Sequence, residues 1–167
     1  MVQALQLYFR EIRNVLDKDH MESNLTEELL EIAVAGIQEV KGQRIVVLDF
    51  REMHNAITKY FVICQGNSST HVDAIARSVE VFTHRDANEK PWTVQGLRSG
   101  TWALLDYGDV VFHVFHKEQR DHYGLEELWA DVPRRDIPEL EGSEVPDTEA
   151  VSATDTQAVS ATDTQDD

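Results

Sequence analysis

Three features of the sequence predict an α/β protein with a five-stranded mixed sheet that is flanked by helices. Two nearly continuous apolar runs, residues 44–50 and 59–65, are typical of strands that are buried on both faces. Segments with an apolar residue at every third or fourth position surround these runs and indicate helices. Two further strand-forming runs flank Tyr107-Gly108, as expected for a β-hairpin.

The first helix of the domain is predicted to begin at Asn24. The Asn24 side chain can accept a hydrogen bond from a free backbone N–H, and Glu27 completes a capping box three residues later. Residues 1–23 are then a separate extension, which we interpret either as a short amphipathic helix or as the product of an upstream start. Met21 stands close before the predicted cap and is the alternative initiator.

A second helix is predicted after the turn formed by residues 66–69, with Ser68 or Ser69 as its N-cap. Residues 92–95 then form a short third strand, and strand, helix and strand together make a crossover unit. After the hairpin, an apolar segment with helical spacing at residues 125–129 is expected to pack back on the sheet.

The hairpin at residues 101–115 is predicted to turn at Tyr107-Gly108, because Gly108 can adopt the positive φ that a tight turn needs. This register pairs Trp102 with His113. Because side chains alternate along a strand, one face would carry Trp102, Leu104, Asp106, Asp109, Val111 and His113. The other face would carry Ala103, Leu105, Val110, Phe112 and Val114. Both faces are largely apolar, so we expect the chain's own core to cover one of them and a helix or a partner protein to cover the other.

The charge and the single cysteine limit the class of protein. The 167-residue chain has 31 acidic and 15 basic residues and a net charge of −16, which disfavours binding in a nucleic-acid groove. Cys64 has no intrachain partner, as is usual in a reducing cytosol. No apolar run approaches the ~20 residues of a membrane-spanning helix, and the N-terminus lacks the pattern of a signal or transit peptide. We therefore predict a cytoplasmic protein without membrane contacts.

The composition changes at the end of the predicted domain, which we place at residues 24–131. Beyond it, three prolines interrupt the chain, acids dominate, and the octapeptide AVSATDTQ occurs twice, at residues 150–157 and 158–165. This segment has few bulky apolar residues that could offset the entropy of ordering the chain. We therefore expect residues 132–167 to be a disordered acidic tail.

None of the sequence patterns for catalysis or metal binding is complete. The seven histidines have neither a cysteine pair nor the spacing of zinc ligands, so we predict no metal and no cofactor. Asp106 and Asp109 could form an acid–base pair, although both positions are also typical of exposed hairpin ends. The turn from Gly66 to Ser69 could bind an anion at a helix N-terminus, as in nucleotidyltransferases. Such enzymes need a pair of strand carboxylates after the turn, and here Asp73 stands alone.

Several ordered blocks of the sequence resemble one family, the ribosomal silencing factors, also called the Iojap-related family. The resemblance covers about residues 26–131 and rests on residues 45–49 (IVVLD), 60–68 (YFVICQGNS), 71–76 (HVDAIA) and, most specifically, 102–115 (WALLDYGDVVFHVF). Arg120, Tyr123, Leu125-Glu126 and Leu128-Trp129 follow in the same order. The chain departs from the family pattern at Arg44, Lys59 and Gln95, which changes the charges expected around an interface.

The resemblance implies a translational repressor and not an enzyme. Members of the family bind ribosomal protein uL-fourteen on the large subunit, prevent joining of the small subunit and repress translation when nutrients are short. Their fold is nucleotidyltransferase-like without its active site. The family's interface carries over to Trp102, Leu104, Leu105, Asp106, Tyr107 and Asp109, with His113 and Arg120 as further candidates. A nucleotide-binding enzyme that uses the turn from Gly66 to Ser69 is the alternative, and a homodimer of the free chain is a further expectation.

Overall fold

The computed structural model describes residues 2–139, with side chains for Lys18 and residues 20–139. In chain order the elements are α1 (Val2–Glu39), β1 (Gln43–Asp49), β2 (Tyr60–Gly66), α2 (Ser69–Phe82) with a π-helical turn (Thr83–Ala87), β3 (Thr93–Gln95), β4 (Trp102–Asp106), β5 (Val110–His116), α3 (Lys117–Tyr123), α4 (Leu125–Leu128) and β6 (Arg134–Asp136). The duplicated octapeptide and most of the predicted acidic tail lie outside the described residues.

The first helix is continuous from Val2 to Glu39, so the predicted helix start at Asn24 is wrong. Asn24 and Glu27 lie inside the helix, where each backbone N–H already bonds to the preceding turn. A capping signal acts only where a helix begins, and the residues before Asn24 continue the helix. Although α1 is 38 residues long, no helix in the described part of the chain is both long and apolar enough to cross a membrane.

The helices pack on a mixed sheet that has six strands within the described residues, in the order β3-β4-β5-β2-β1-β6. The central strands β2 and β5 are parallel, and all other neighbours are antiparallel. The predicted number of five strands is wrong because β6 pairs with β1 in the segment that we assigned to the tail. Its sequence, RRD, has no apolar residue and is exposed, so hydrophobic patterning does not reveal it. The relationship to nucleotidyltransferases stays a prediction.

β4 and β5 form the predicted hairpin, but the turn lies one residue later than expected. Its loop residues are Gly108 and Asp109, and Gly108 has a φ of +82°. Trp102 therefore pairs with Phe115 instead of His113. Because this shift moves each partner by two positions, the alternation along the strands is preserved. The strand residues keep their predicted faces, but Asp109 now lies in the loop and no longer belongs to the face of Trp102.

Each face of the sheet packs against its own cluster of apolar side chains. The main core lies between the sheet and the helices α1 and α2 and includes Leu30, Ile37, Val47, Val62, Ile75, Val79, Leu105 and Phe112. A smaller second core on the opposite face consists of Val46, Leu48, Phe50, Ile63, Phe115 and Val132. The chain's own helices thus cover one face of the hairpin, as predicted, and the other face is covered only in part.

Candidate protein-interaction site

The face of the sheet opposite α1 and α2 carries a surface that the chain leaves partly uncovered. Six side chains from β4, β5 and β2 form this surface, which we term the open face: Trp102, Leu104, Asp106, Val111, His113 and Phe61. Five of them are half-buried, and His113 is buried beneath its neighbours. Leu125 and Trp129, at the start and the end of α4, pack on the adjacent second core. The open face is therefore the uncovered continuation of a hydrophobic layer.

Trp102 is the centre of an aromatic stack on the open face. Its ring stacks on those of Phe115 and His113, with centroid distances of 5.2 and 5.7 Å. The ring of Tyr123 from α3 lies 4.8 Å from that of Trp102, and Phe61 approaches His113 edge-on at 4.7 Å. Stacked and edge-on contacts of this kind hold aromatic rings in defined orientations. The aromatic rings of the open face are therefore held in a preformed arrangement.

His113 is a polar side chain within this apolar layer. It is 5% exposed, and neither of its ring nitrogens has a hydrogen-bond partner among the described residues. The indole nitrogen of Trp102 is likewise buried and unpaired. Burial disfavours the charged imidazolium and lowers the pKa of His113 to about 4. His113 is therefore neutral at pH 7 and contributes an aromatic ring rather than a positive charge.

The two aspartates of the hairpin have different environments. Asp106 Oδ1 accepts a hydrogen bond from the Gly108 N–H at 2.7 Å, which stabilises the turn. Asp109 Oδ2 accepts a hydrogen bond from Thr26 Oγ1 of α1 at 2.9 Å and lies 2.7 Å from Lys59 Nζ. Asp106 thus stands at the margin of the open face, whereas Asp109 ties the turn to α1. These contacts favour structural roles over the acid–base pair that we considered from the sequence.

Leu105 and Tyr107 belong to the main core on the opposite face of the sheet. The Tyr107 hydroxyl shares a hydrogen bond of 2.8 Å with Thr83 Oγ1, and its ring meets that of Phe112 edge-on at 5.5 Å. Burial raises the pKa of Tyr107 to about 12. The side chains of both residues are therefore not part of the open face, and their predicted contact with a partner stays a prediction.

Arg120 is also buried, with 1% of its surface exposed, and it connects α3 to the sheet. Its Nε and Nη2 donate to Glu126 Oε1 at 2.9 and 2.6 Å, and its Nη1 donates to the Arg44 carbonyl oxygen at 2.6 Å. Arg44 has a φ of +48° beside an irregularity in the β1–β2 pairing. Arg120 therefore holds an unusual stretch of backbone in place, and its side chain is not part of the open face; its contact with a partner stays a prediction.

Three aromatic side chains at or beside the open face were missing from the predicted site: Phe61, Tyr123 and Trp129. The parallel pairing of β2 with β5 places Phe61 beside Val111. Tyr123 and Trp129 come from the two short helices and their ends, and they pack on Trp102 and Phe61 respectively. Alternation along β2 shows that Phe61 points to the opposite face from Tyr60 and Val62. Nothing in the sequence, however, shows that β5 is the strand that lies beside β2.

The turn before α2, which the alternative function requires, satisfies its own polar groups. Ser68 caps α2 as predicted, because its Oγ accepts a hydrogen bond from the His71 N–H at 3.2 Å. His71 Nδ1 accepts from the Asn67 N–H at 3.2 Å, so its Nε2 carries the proton that it donates to the Val40 carbonyl at 2.8 Å. In the part of the chain that the structure describes, no group of three or more His, Cys, Asp or Glu could hold a metal ion.

Replacing Ser68 by Ala is expected to lower the free energy of unfolding by about 1 kcal/mol, because α2 loses its N-cap. Denaturation in guanidinium chloride measures this change. The same variant tests the alternative function in a calorimetric titration with ATP and magnesium. Saturable binding by the wild type that disappears in Ser68→Ala would contradict a purely structural role for the turn.

A mixed α/β fold that leaves an apolar face partly uncovered is typical of a protein that binds another protein. Residues 23–166 match the model of the family described as "Ribosomal silencing factor during starvation". The chain therefore belongs to the ribosomal silencing factor family, which confirms the resemblance seen in the sequence.

Three relatives show the extent of this similarity. The ribosomal silencing factor of Halalkalibacterium halodurans is 39% identical over 116 residues, which cover 70% of this chain and 95% of that protein. A crystal structure of a Chromobacterium violaceum protein matches at 33% identity with a TM-score of 0.58, covering 62% of this chain and 85% of that one. A mouse protein named "Mitochondrial assembly of ribosomal large subunit protein 1" is 34% identical over 75 residues, 44% of this chain and 33% of that protein.

Proposed function

We propose that this chain binds ribosomal protein uL-fourteen on the large ribosomal subunit through its open face and so blocks joining of the small subunit. It acts in the cytoplasm and represses translation when nutrients are short. The observation that carries the proposal is the open face, a rigid aromatic layer that the chain's own elements cover only in part. Membership of the silencing factor family supports the ribosome as the target, and the resemblance seen in the sequence supports uL-fourteen.

The open face has the chemistry of the centre of a protein–protein interface. Trp102 supplies a large ring with a fixed orientation, and Leu104 and Val111 lie beside it on the same side of the sheet. Aromatic anchors of this kind contribute most of the binding free energy when a partner excludes water around them. Asp106 at the margin and the net charge of −16 favour a basic partner and orient it on approach.

Silencing by this route needs no chemical step. A protein of 19.0 kDa that occupies the subunit-facing surface excludes the small subunit by its volume alone. The description of the family as a silencing factor supports a regulatory role of this kind. The polar groups of the turn before α2 form hydrogen bonds within the chain. They therefore offer no support for the alternative, a nucleotide-dependent enzyme.

Replacing Leu104 by Asp is expected to weaken binding to purified large subunits by roughly thirty-fold, or about 2 kcal/mol, because a carboxylate would be desolvated at the centre of the interface. Co-sedimentation of the variant with large subunits measures this loss. Leu104 is half-buried on the open face and is no part of the main core, so the variant is expected to fold.

Val81→Asp is the matched control, because Val81 lies exposed on α2 on the other side of the sheet. It introduces the same carboxylate and is expected to bind like the wild type. A sucrose-gradient assay of subunit joining should then show inhibition by the wild type and by Val81→Asp but not by Leu104→Asp. A folded Leu104→Asp variant that binds and inhibits like the wild type would reject the open face as the binding surface.

A further inference from the structure

A second uncovered apolar surface lies on the α1 side of the sheet, away from the open face. It is a groove of about 700 Å³ between α1, the end of the π-helical turn and the hairpin turn, with Leu25, Leu29 and Trp92 among its lining residues. Leu25 is 59% exposed, and Met21 stands one helical turn before it and is 60% exposed. We term this feature the acidic groove, for the charges at its margin.

Trp92 has the most exposed aromatic side chain among residues 20–139, at 79%, yet one side of its ring is held in place. Its backbone N–H donates to the Asp106 carbonyl oxygen at 2.7 Å. Its ring lies against the hairpin turn, where a Cβ on Gly108 would come within 2.6 Å of the ring. Because Gly108 has no side chain, the indole rests on the turn and directs its other surface to solvent. A tryptophan held in this way is typical of a binding anchor.

The margin of the groove is acidic. Glu22, Glu28, Asp86, Glu89 and Asp109 line it, and no Lys, Arg or His does. Asp109 and Asp86 are neutralised by ion pairs with Lys59 and Arg85. The carboxylates of Glu28 and Glu89 have no cationic partner among the residues that the structure describes. An uncompensated negative charge therefore remains at the margin of the groove that the exposed indole lines.

This combination of charge and apolar surface selects one kind of occupant. Nucleic acid is disfavoured because its phosphates would approach unpaired carboxylates. A second copy of this chain is disfavoured because it brings 31 acidic against 15 basic residues. A protein segment that carries lysine or arginine together with apolar side chains satisfies both features, since its cations meet the acidic margin and its apolar residues cover the indole and Leu25.

We propose that the acidic groove is a second docking surface, which binds a lysine- and arginine-rich, partly apolar segment of a protein on the large ribosomal subunit. The target subunit rests on the proposed function, whereas the chemistry of the segment follows from the groove. Because the groove and the open face lie on opposite sides of the sheet, the chain contacts two separate protein surfaces when it is bound.

Site-specific photo-crosslinking with purified large subunits tests the proposal. Photoreactive benzoylphenylalanine is placed at position 92, and as a matched control at position 81 on the exposed side of α2. After irradiation and proteolysis, mass spectrometry identifies the crosslinked peptides. We expect position 92 to crosslink to lysine- and arginine-rich protein segments and position 81 to give no such product.

Charge reversal provides the second arm of the test. Glu28→Lys/Glu89→Lys in the position-92 protein is expected to lower the yield of the crosslink at least five-fold. Glu52→Lys/Glu118→Lys makes the same change in net charge at residues that do not line the groove and should leave the yield unchanged. Equal losses in both double variants would show that the overall charge, and not the groove, determines the contact.

The outcomes separate this proposal from the proposed function. Co-sedimentation with large subunits together with crosslinks from position 92 to ribosomal RNA, to a second copy of the chain or to nothing would overturn the groove proposal alone. Failure of the wild type to co-sediment with large subunits would overturn both proposals.

Discussion

Lowering the pH from 7 to 4 is expected to remove about 3 kcal/mol of the free energy of unfolding through His113 alone. Burial lowers the pKa of His113 from its usual 6.5 to about 4 in the folded protein. The unfolded chain therefore takes up a proton at this residue before the folded chain does. The neutral His113 thus contributes fully to the free energy of unfolding above pH 6.5, and this contribution is lost as the pH falls towards 4.

His113→Phe isolates this effect, because phenylalanine keeps an aromatic ring in the stack and does not titrate. The side chains that pack on or pair beside His113 are uncharged: Phe61, Ile63, Trp102, Leu104 and Phe115. Guanidinium denaturation of both proteins at several pH values should show that the wild type loses stability faster than the variant between pH 6.5 and 4. Parallel pH dependences would show that His113 is not held neutral in the folded protein.

Replacing Arg120 by Met is expected to lower the free energy of unfolding by roughly 3 kcal/mol. The change removes the two hydrogen bonds to Glu126 and the bond to the Arg44 carbonyl oxygen. Glu126 would remain with a largely buried carboxylate and without its cation. Loss of one partner from a buried ion pair is more damaging than loss of both, since the remaining charge stays desolvated.

Two further variants test this explanation in the same denaturation assay. Arg120→Met/Glu126→Leu should recover part of the lost stability, because no unpaired carboxylate remains. Arg134→Ala removes an exposed Arg134–Asp136 pair with the same shortest distance of 2.6 Å and should change stability little. A double variant that is less stable than Arg120→Met alone would show that Glu126 contributes through other contacts.

The hairpin shows why some of the candidate site is readable from the sequence. Alternation with a period of two assigns Trp102, Leu104 and His113 to one face whatever the turn, provided that the register shifts by an even number. The same alternation excludes Leu105 from that face, and the structure places it in the main core. The interface that the family resemblance implies takes residues from both faces of β4, so it does not distinguish the two faces.

Other features depend on contacts between segments that are distant in the chain. Phe61 joins the open face only because β2 is the parallel neighbour of β5, and no local pattern encodes that choice. The guanidinium of Arg120 can be buried because the Glu126 carboxylate and the Arg44 carbonyl oxygen of β1 accept its hydrogen bonds. β6 consists of exposed polar residues whose backbone pairs with β1, so it has no hydrophobic signature.

The parallel pairing at the centre of the sheet has a consequence for folding. Tyr60 pairs with Val110. During synthesis, β2 therefore cannot form its parallel pairing with β5 until about fifty more residues have been added. Contacts between such distant residues form slowly, because the loop between them must first close. The hairpin that supplies β5 also carries most of the open face. A nascent chain therefore acquires its central strand pairing and its binding surface in the same step.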